Sequence, residues 1–471
     1  MTHVSLFGIG LDTYWPQFEG LRQRLLGYQA RIAEEVRGYG AEVRDLGLLD
    51  DPRRSAALAA EINAEPCDLV LLYVTTYALS HTVLPVARAV RAPIVVLNLQ
   101  PVPAIDYAGL NAMGDRGAMT GEWLAHCQAC SAPEIASAFR RARLPFRLVT
   151  GYLGEDYVAT RLRAYVRAAG LVRGLRESRI GLAGHYYNGM LDVYSDITRL
   201  AGALGCHFEL VEFGELKALR AAATDAEVED KRAAFEERFD VSPECEDGEL
   251  DRAARTAVAL DRLAAAHELH GLAYYYEGAG DPEAEDIVTS LIPGLTLLTG
   301  EGVPCAGEYE VKNAVAMKLL DLLGAGGSFS EPYAIDFEDD VVLWGHDGPA
   351  HFRIADGRVG LVPVPVYHGK PGRGLSIQMA VQHGPATLLS VCEGADGEVF
   401  WVCAEGESVP GPTLQIGNTN SRYRFPLGAR AFVDAWTKAG PNHHCAIGVG
   451  HVADVLERAA ELLGVGWVRV C

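Results

Sequence analysis

The chain has 471 residues, 49% of them hydrophobic and 22% charged, with a mean hydropathy of +0.07. That balance supports a large buried core, excludes a mostly disordered polymer, and at this length suits two or three domains. Lys and Arg total 41 against 62 Asp and Glu, a formal charge of -21. Such a surface repels phosphate backbones and anionic lipids, so neither nucleic acid nor a membrane is an expected partner.

Residues 4–10 form a short apolar run ending in glycine, the pattern of a buried parallel strand. A helix is expected over 18–39, with Leu21, Leu25, Ile32 and Val36 near helical spacing. Strands follow at 68–74 and 93–98 with a helix between them, the alternation of a doubly wound parallel sheet. The pattern restarts near Arg179: strands at 180–184, 208–213 and 271–276, and helices at 190–204, 223–238 and 251–270. Beyond residue 326 the elements become short and β-rich, broken by Gly, Pro and Asp. Strands are expected at 341–344, 350–354, 359–366, 374–381, 386–393 and 398–404, with a closing helix at 452–463. The fold class is therefore α/β: two doubly wound parallel-sheet domains, 1–172 and 173–325, then a mainly antiparallel, barrel-like domain, 326–471, with a terminal helix.

Ten cysteines are scattered without a disulfide framework. Cys127 and Cys130 make one C-x-x-C, but no second pair and no suitably spaced histidine follows, so small buried residues in a reducing compartment are expected. No Lys or Arg precedes Arg22, and no apolar run approaches the roughly 20 residues that cross a bilayer. A cytoplasmic protein is expected. Gly8-Ile9-Gly10 lacks the third glycine of a dinucleotide fingerprint.

Four segments have the residue types for chemistry. Gly307-Glu308-Tyr309-Glu310-Val311-Lys312 leads into an apolar helix, Ser328-Phe329-Ser330-Glu331-Pro332-Tyr333 reads as a loop, Trp344-Gly345-His346 ends a strand, and His443-His444 precede the last helix. Two carboxylates and two imidazoles suit a divalent ion with a mixed oxygen and nitrogen shell, such as manganese, cobalt or iron(II). Helix capping, surface acids and incidental histidines would explain the same residues, since Glu308 and Glu310 also complement a helix dipole. His351 competes with His346, and His185 sits on a strand-end loop.

In order, these segments resemble the L-arabinose isomerase branch of the L-fucose/L-arabinose isomerase family. Glu308 resembles its first metal glutamate, and Glu331, in an S-F-x-E-x-Y segment that ends at Tyr333, its second. His346 falls at its first metal histidine, and Gly440-Pro441-Asn442-His443-His444 is similar to its G-x-H-H segment, whose second histidine is the other ligand. Tyr276 and Met190 match pocket positions. The resemblance implies a metal-dependent aldose–ketose isomerase using Mn2+, or Co2+, Fe2+ or Mg2+. Glu308 and Glu331 would be ligands and the acid/base pair, His346 and His444 would complete the shell, and His443 would contact substrate. It also implies a homo-oligomer, a trimer or hexamer, with active sites between subunits.

Two segments depart from the arabinose pattern. Asp12 stands where the family's G-S-Q-H segment has glutamine. The Q-x-x-H segment, which comes from a neighbouring subunit, keeps Gln128 but has Ser131 for histidine. The polar stretch 417–424 looks more like the wider family. The metal chemistry is retained while the sugar pocket is altered, and no phosphate loop is visible, so a free sugar other than L-arabinose is expected. An epimerase, a lyase or an isomerase of a modified sugar would use the same metal site. A non-catalytic sugar-binding protein is the reading outside enzymes.

Overall fold

In the computed structural model, which describes residues 1–275, 280–364 and 373–471, the chain divides into two units, Met1–Arg173 and Gly174–Cys471. The first unit holds strands β1 (Thr2–Ile9), β2 (Ala41–Leu49), β3 (Leu69–Val74), β4 (Ile94–Gln100) and β5 (Arg147–Tyr152), in the order β2-β1-β3-β4-β5. All pairings are parallel. Every residue of β3 is buried, because helices cover both faces of a central parallel strand. The helix Leu21–Gly38 buries Leu21, Leu25, Ile32 and Val36, the stripe read from its sequence. Edge strands β2 and β5 escape the sequence pattern because each is half solvated and mixes charged with apolar residues.

The second unit opens with another parallel sheet. Its strands are β6 (Arg179–Gly184), β7 (His207–Val211), β9 (Gly271–Tyr275) and β10 (Cys305–Ala306), in the order β10-β9-β6-β7. The short β8 (Phe239–Val241) lies elsewhere. The helix expected over 190–204 is shorter, Ile197–Leu204, and starts at Asp196, whose side chain accepts the Arg199 amide. Before it, Gly189 turns at a φ of +95°, and residues 190–196 run as a loop with one tight turn, Leu191–Val193. The helix Asp225–Arg238 starts in a reciprocal cap between Thr224 and Glu227.

Six strands close a barrel: β11 (Gly326–Asp336), β12 (Val341–His346), β15 (Gly384–Glu393), β16 (Val399–Val409), β17 (Thr419–Arg424) and β18 (Cys445–Val449). The ring runs β15-β18-β11-β12-β17-β16 and back to β15, antiparallel throughout. The fold class is thus the expected one, with three local corrections. Residues 352–354 make a 3-10 turn in place of a strand. Strands β13 (Val359–Val364) and β14 (Gly374–Gln378) leave the barrel to form a small sheet with β8. After the helix Ala453–Leu463 a further strand, β19 (Gly466–Arg469), adds in parallel to β16. The helix Val311–Leu322 is buried along most of its length and packs against both the parallel sheet and the barrel. No helix among the described residues is long and apolar enough to cross a membrane.

Candidate metal centre

The register of three barrel strands explains how distant segments meet. Ser328 to Tyr333, expected in a loop, lie within β11. There Glu331 pairs with Gly345 of β12, next to His346, while Ser330 pairs with Cys445 of β18, next to His444. Antiparallel neighbours sit about 5 Å apart, so the ladder itself carries Glu331, His346 and His444 to one place. One ligand atom from each lies within 4.8 Å of the others, and Glu308, His443 and His444 form an overlapping group that shares His444. Phe329 packs against both His346 and His444, ring centroids 4.4 Å apart in each case, and fixes the two imidazoles from the apolar side.

Glu308 arrives from the other side, on the turn between β10 and the buried helix. Glu308 and Tyr309 have φ of +56° and +57°, a left-handed conformation that costs non-glycine residues roughly 1–3 kcal/mol each. The turn is held by the Tyr309 amide donating to Tyr274 O at 3.0 Å and the Glu310 amide donating to Gly307 O at 2.9 Å. The strained turn aims Glu308 at His444: Glu308 Oε2 stands 3.4 Å from His444 Nε2.

Glu310 has a part that sequence reasoning missed. Its position suggested a helix-dipole acid, but it makes no side-chain cap. It is fully buried and turns inward, where Asn442 Nδ2 donates to its Oε1 at 3.2 Å and His444 Nδ1 meets its Oε2 at 3.3 Å. Burial pushes the carboxyl up to about 8, against the attraction of Lys312. Burial, reinforced by His443, holds His444 well below its ordinary value. Both shifts favour the neutral forms of the two groups. A neutral imidazole that donates its Nδ1 proton to Glu310 presents a bare lone pair at Nε2, the state a metal ligand needs. His444 Nε2 is buried and has no hydrogen-bond partner among the described residues. A lone pair facing a carboxylate oxygen at 3.4 Å in a buried site calls for a cation between them, so the donor set fits a divalent ion. His346 Nδ1 meets a backbone carbonyl, that of Asp347 at 2.7 Å, which sets the proton on Nδ1 and the lone pair on Nε2.

The surroundings lock the outer groups. Asp192 Oδ2 accepts from the His443 amide at 3.0 Å and meets His443 Nδ1 at 2.6 Å. Burial works against the charged form of His443, but the bond to Asp192 prevails and raises its pKa. Lys312, nearly fully buried, donates to Asp192 O at 2.6 Å and Tyr194 O at 3.2 Å, tying the loop that carries Met190 to the start of the helix. Lys312 and Asn442 stood in the quoted segments without a role, and Asp192 lies two residues after Met190. Only the fold shows theirs, because none has a distinctive sequence spacing.

The other expected residues fall as follows. Tyr333 accepts from Asn418 Nδ2 at 2.9 Å, linking β11 to the polar stretch 417–424. His351 is buried near Gly326, its amide donating to Ser328 Oγ at 3.3 Å, and belongs to neither group of candidate ligands. His185 is exposed, its Nδ1 3.0 Å from Tyr186 O, with its ring edge-on to Tyr275. Tyr276 lies outside the described residues. Asp12 and Gln128 belong to the first unit. Asp12 is exposed in the turn Asp12–Tyr14. Gln128 is buried, its amide donating at 2.9 Å to both Thr75 O and Ala125 O. Ser131 is buried too and accepts from the Ala78 amide at 2.7 Å.

No protein-family model matches the chain. Among curated proteins, one from Nocardioides sp. named L-arabinose isomerase is 25% identical over 436 residues, covering 89% of this chain and 83% of its own length. Proteins of the same name from Clavibacter sepedonicus and Phocaeicola vulgatus are 23% and 21% identical, covering 92% and 88% of this chain and 86% and 82% of their own lengths. Among solved structures, a carbohydrate acetylesterase from Sinorhizobium meliloti overlaps 37% of this chain and all of its own at a TM-score of 0.20 and 17% identity, too little to bear on fold or function. Each of the three matches covers 88% or more of this chain and so extends into both units. The chain is a distant relative of the L-arabinose isomerases.

Proposed function

We propose that this protein is a metal-dependent aldose–ketose isomerase of a free sugar, with a sugar pocket altered from that of the arabinose enzymes. The observation that carries this reading is the meeting at His444 of two groups of candidate ligands, one with Glu308 and one with Glu331 and His346, where the buried His444 Nε2 has no hydrogen-bond partner among the described residues. Those four side chains would hold the ion, and Mn2+ suits the mixed oxygen and nitrogen donors, with Co2+, Fe2+ or Mg2+ as substitutes. When bound, a divalent ion polarises the sugar carbonyl and stabilises negative charge on its oxygen.

The chain's own residues supply proton transfer and orientation. Isomerisation moves one proton between C1 and C2 and another between O1 and O2, which calls for one base at carbon and one acid or base at oxygen. Glu308 and Glu331 fill these two parts, one from the strained turn and one from the rigid barrel ladder. Glu310 and Asn442 hold His444 in its ligand tautomer. His443, oriented by Asp192, offers its Nε2 edge to a sugar hydroxyl, and Tyr333 and Met190 line the substrate side. Of the first-unit positions, Asp12 offers an exposed carboxylate to a hydroxyl, and Gln128 holds the loop after β3. A homo-oligomer, a trimer or hexamer, is part of the same proposal, as is a cytoplasmic setting.

The test is turnover over a panel of tetroses, pentoses and hexoses, with EDTA and then with added Mn2+. An aldose–ketose pair interconverted only with metal is the expected result. Aspartate at 12 and serine at 131 favour one second reading, the same metal site ending in epimerisation, in lyase chemistry or in isomerisation of a modified sugar. It predicts bound metal and no simple aldose–ketose turnover. Sugar binding with neither metal nor turnover would support a non-catalytic binding protein and overturn both.

A further inference from the structure

Cys127 and Cys130 have no part in the proposed isomerase site, and the fold gives them a geometry of their own. Cys127 caps the start of the helix Gln128–Arg141, and Cys130 stands in its first turn. The two sulfurs are in hydrogen-bond contact at 3.0 Å. Cys127 is buried among Leu21, Leu25, Leu124 and Ala125, whereas Cys130 is exposed, contrary to the expectation that all the cysteines are buried. One sulfur is open to a reagent, and the second waits behind it within contact distance.

The frame around the pair is rigid. Between the two cysteines, Gln128 bonds to Thr75 O and Ala125 O, and just beyond them Ser131 accepts from the Ala78 amide. Thr76 Oγ1 donates to Leu124 O at 2.7 Å. These bonds fasten the helix start to the segment that follows β3. The first turn of a helix favours negative charge on sulfur. Backbone hydrogen bonds from Tyr77 and Cys130 also reach Cys127. Burial pushes the Cys127 thiol up to about 12, so it holds its proton until its neighbour has reacted.

We propose that Cys127 and Cys130 form a reversible dithiol–disulfide site, entered through Cys130 and closed by Cys127, whose oxidant is a low-molecular-weight disulfide such as oxidised glutathione. The Cys130 thiolate attacks one glutathione sulfur, forming a mixed disulfide and releasing one reduced glutathione. Cys127 then gives up its proton and attacks the Cys130 sulfur, forming the Cys127–Cys130 bond and releasing the second. The dithiol loses two electrons and two protons, and one oxidised glutathione becomes two reduced ones.

The test equilibrates the whole native protein with mixtures of reduced and oxidised glutathione, then quenches with acid, alkylates and digests with trypsin. Both cysteines fall in the single peptide 117–140. The expected result is a form of that peptide lighter by two hydrogens, rising with oxidant as a two-electron transition and removed by dithiothreitol. Cys127→Ser should instead accumulate glutathione on Cys130, and Cys130→Ser should leave Cys127 unmodified in the folded protein. A wild-type peptide that stays a dithiol across the series would overturn the site. So would a lasting mixed disulfide in the wild type, or glutathione on Cys127 in the Cys130→Ser protein.

Discussion

The two units use the polar groups near their strand ends differently. In the second unit, carboxylates and ring nitrogens from two strands, the start of a third and one strained turn meet at His444, whose buried Nε2 has no hydrogen-bond partner among the described residues. In the first unit, Gln128 Nε2 and Ser131 Oγ bond to the backbone of their own fold, and Asp12 is exposed. Buried polar groups are normally satisfied internally. Both units leave some buried polar atoms without a partner among the described residues, Gln128 Oε1 in the first and His444 Nε2 in the second. At His444 the orphan nitrogen sits among candidate ligand side chains, which is why a ligand is argued for there. Asp12 and Ser131, two positions at which the sequence departs from the arabinose pattern, belong to the first unit.

The strongest way to break this comparison is at the carboxylates. Glu331→Gln and Glu308→Gln each keep the shape but remove a basic oxygen, and each should lower kcat by about 10²–10⁴-fold. Metal analysis of the same samples separates loss of chemistry from loss of the ion. Wild-type turnover with metal bound would refute the acid/base assignment. Next, Glu310→Gln leaves His444 without its carboxylate partner and should weaken metal binding by about 10–100-fold, read by titration against a competing chelator.

In the first unit, Gln128→Ala should lower stability by about 1–3 kcal/mol, because Thr75 O and Ala125 O lose a buried donor. Unchanged stability with a raised KM would instead make Gln128 a sugar contact and blur the contrast between the units. Thr224→Ala removes one half of a reciprocal helix cap and should cost about 1 kcal/mol in denaturant unfolding, with m unchanged.

The smallest effect is a pH dependence in the second unit. The bond to Glu215, at 2.9 Å, raises the pKa of His267 above its ordinary 6.5. The folded state therefore favours the charged ring. The stabilisation is fully present below pH 6.5 and is lost as pH rises through the raised folded value. His267→Asn should flatten the stability profile across that window in thermal melts.

Much of this molecule was legible in the sequence. Apolar runs such as 69–74 announce central parallel strands because burial on both faces leaves no polar position. The four ligand segments were visible as residue types and order. What escaped notice were elements whose signal is weak or whose role depends on partners. Edge strands β2 and β5 mix charged and apolar residues. The segment Ser328–Tyr333 looked like a loop because serine and proline interrupt it, yet its backbone pairs on both sides. Glu310 looked like an acid beside a helix dipole, because nothing in its neighbours along the chain reveals Asn442 or His444.

The sequence by itself determined the fold class, the order of elements and the chemical types available at each strand end, since these follow from hydrophobic period and local residue chemistry. The tertiary structure alone decided which groups meet. Residues 308, 331, 346 and 444 are joined by the register of β12, β11 and β18 and by a left-handed turn. It also decided which nitrogen faces inward, which of two neighbouring cysteines is exposed, and that Gln128 Nε2 bonds within its own fold. Register, burial and hydrogen-bond partners are properties of distant segments in contact, and no local pattern carries them.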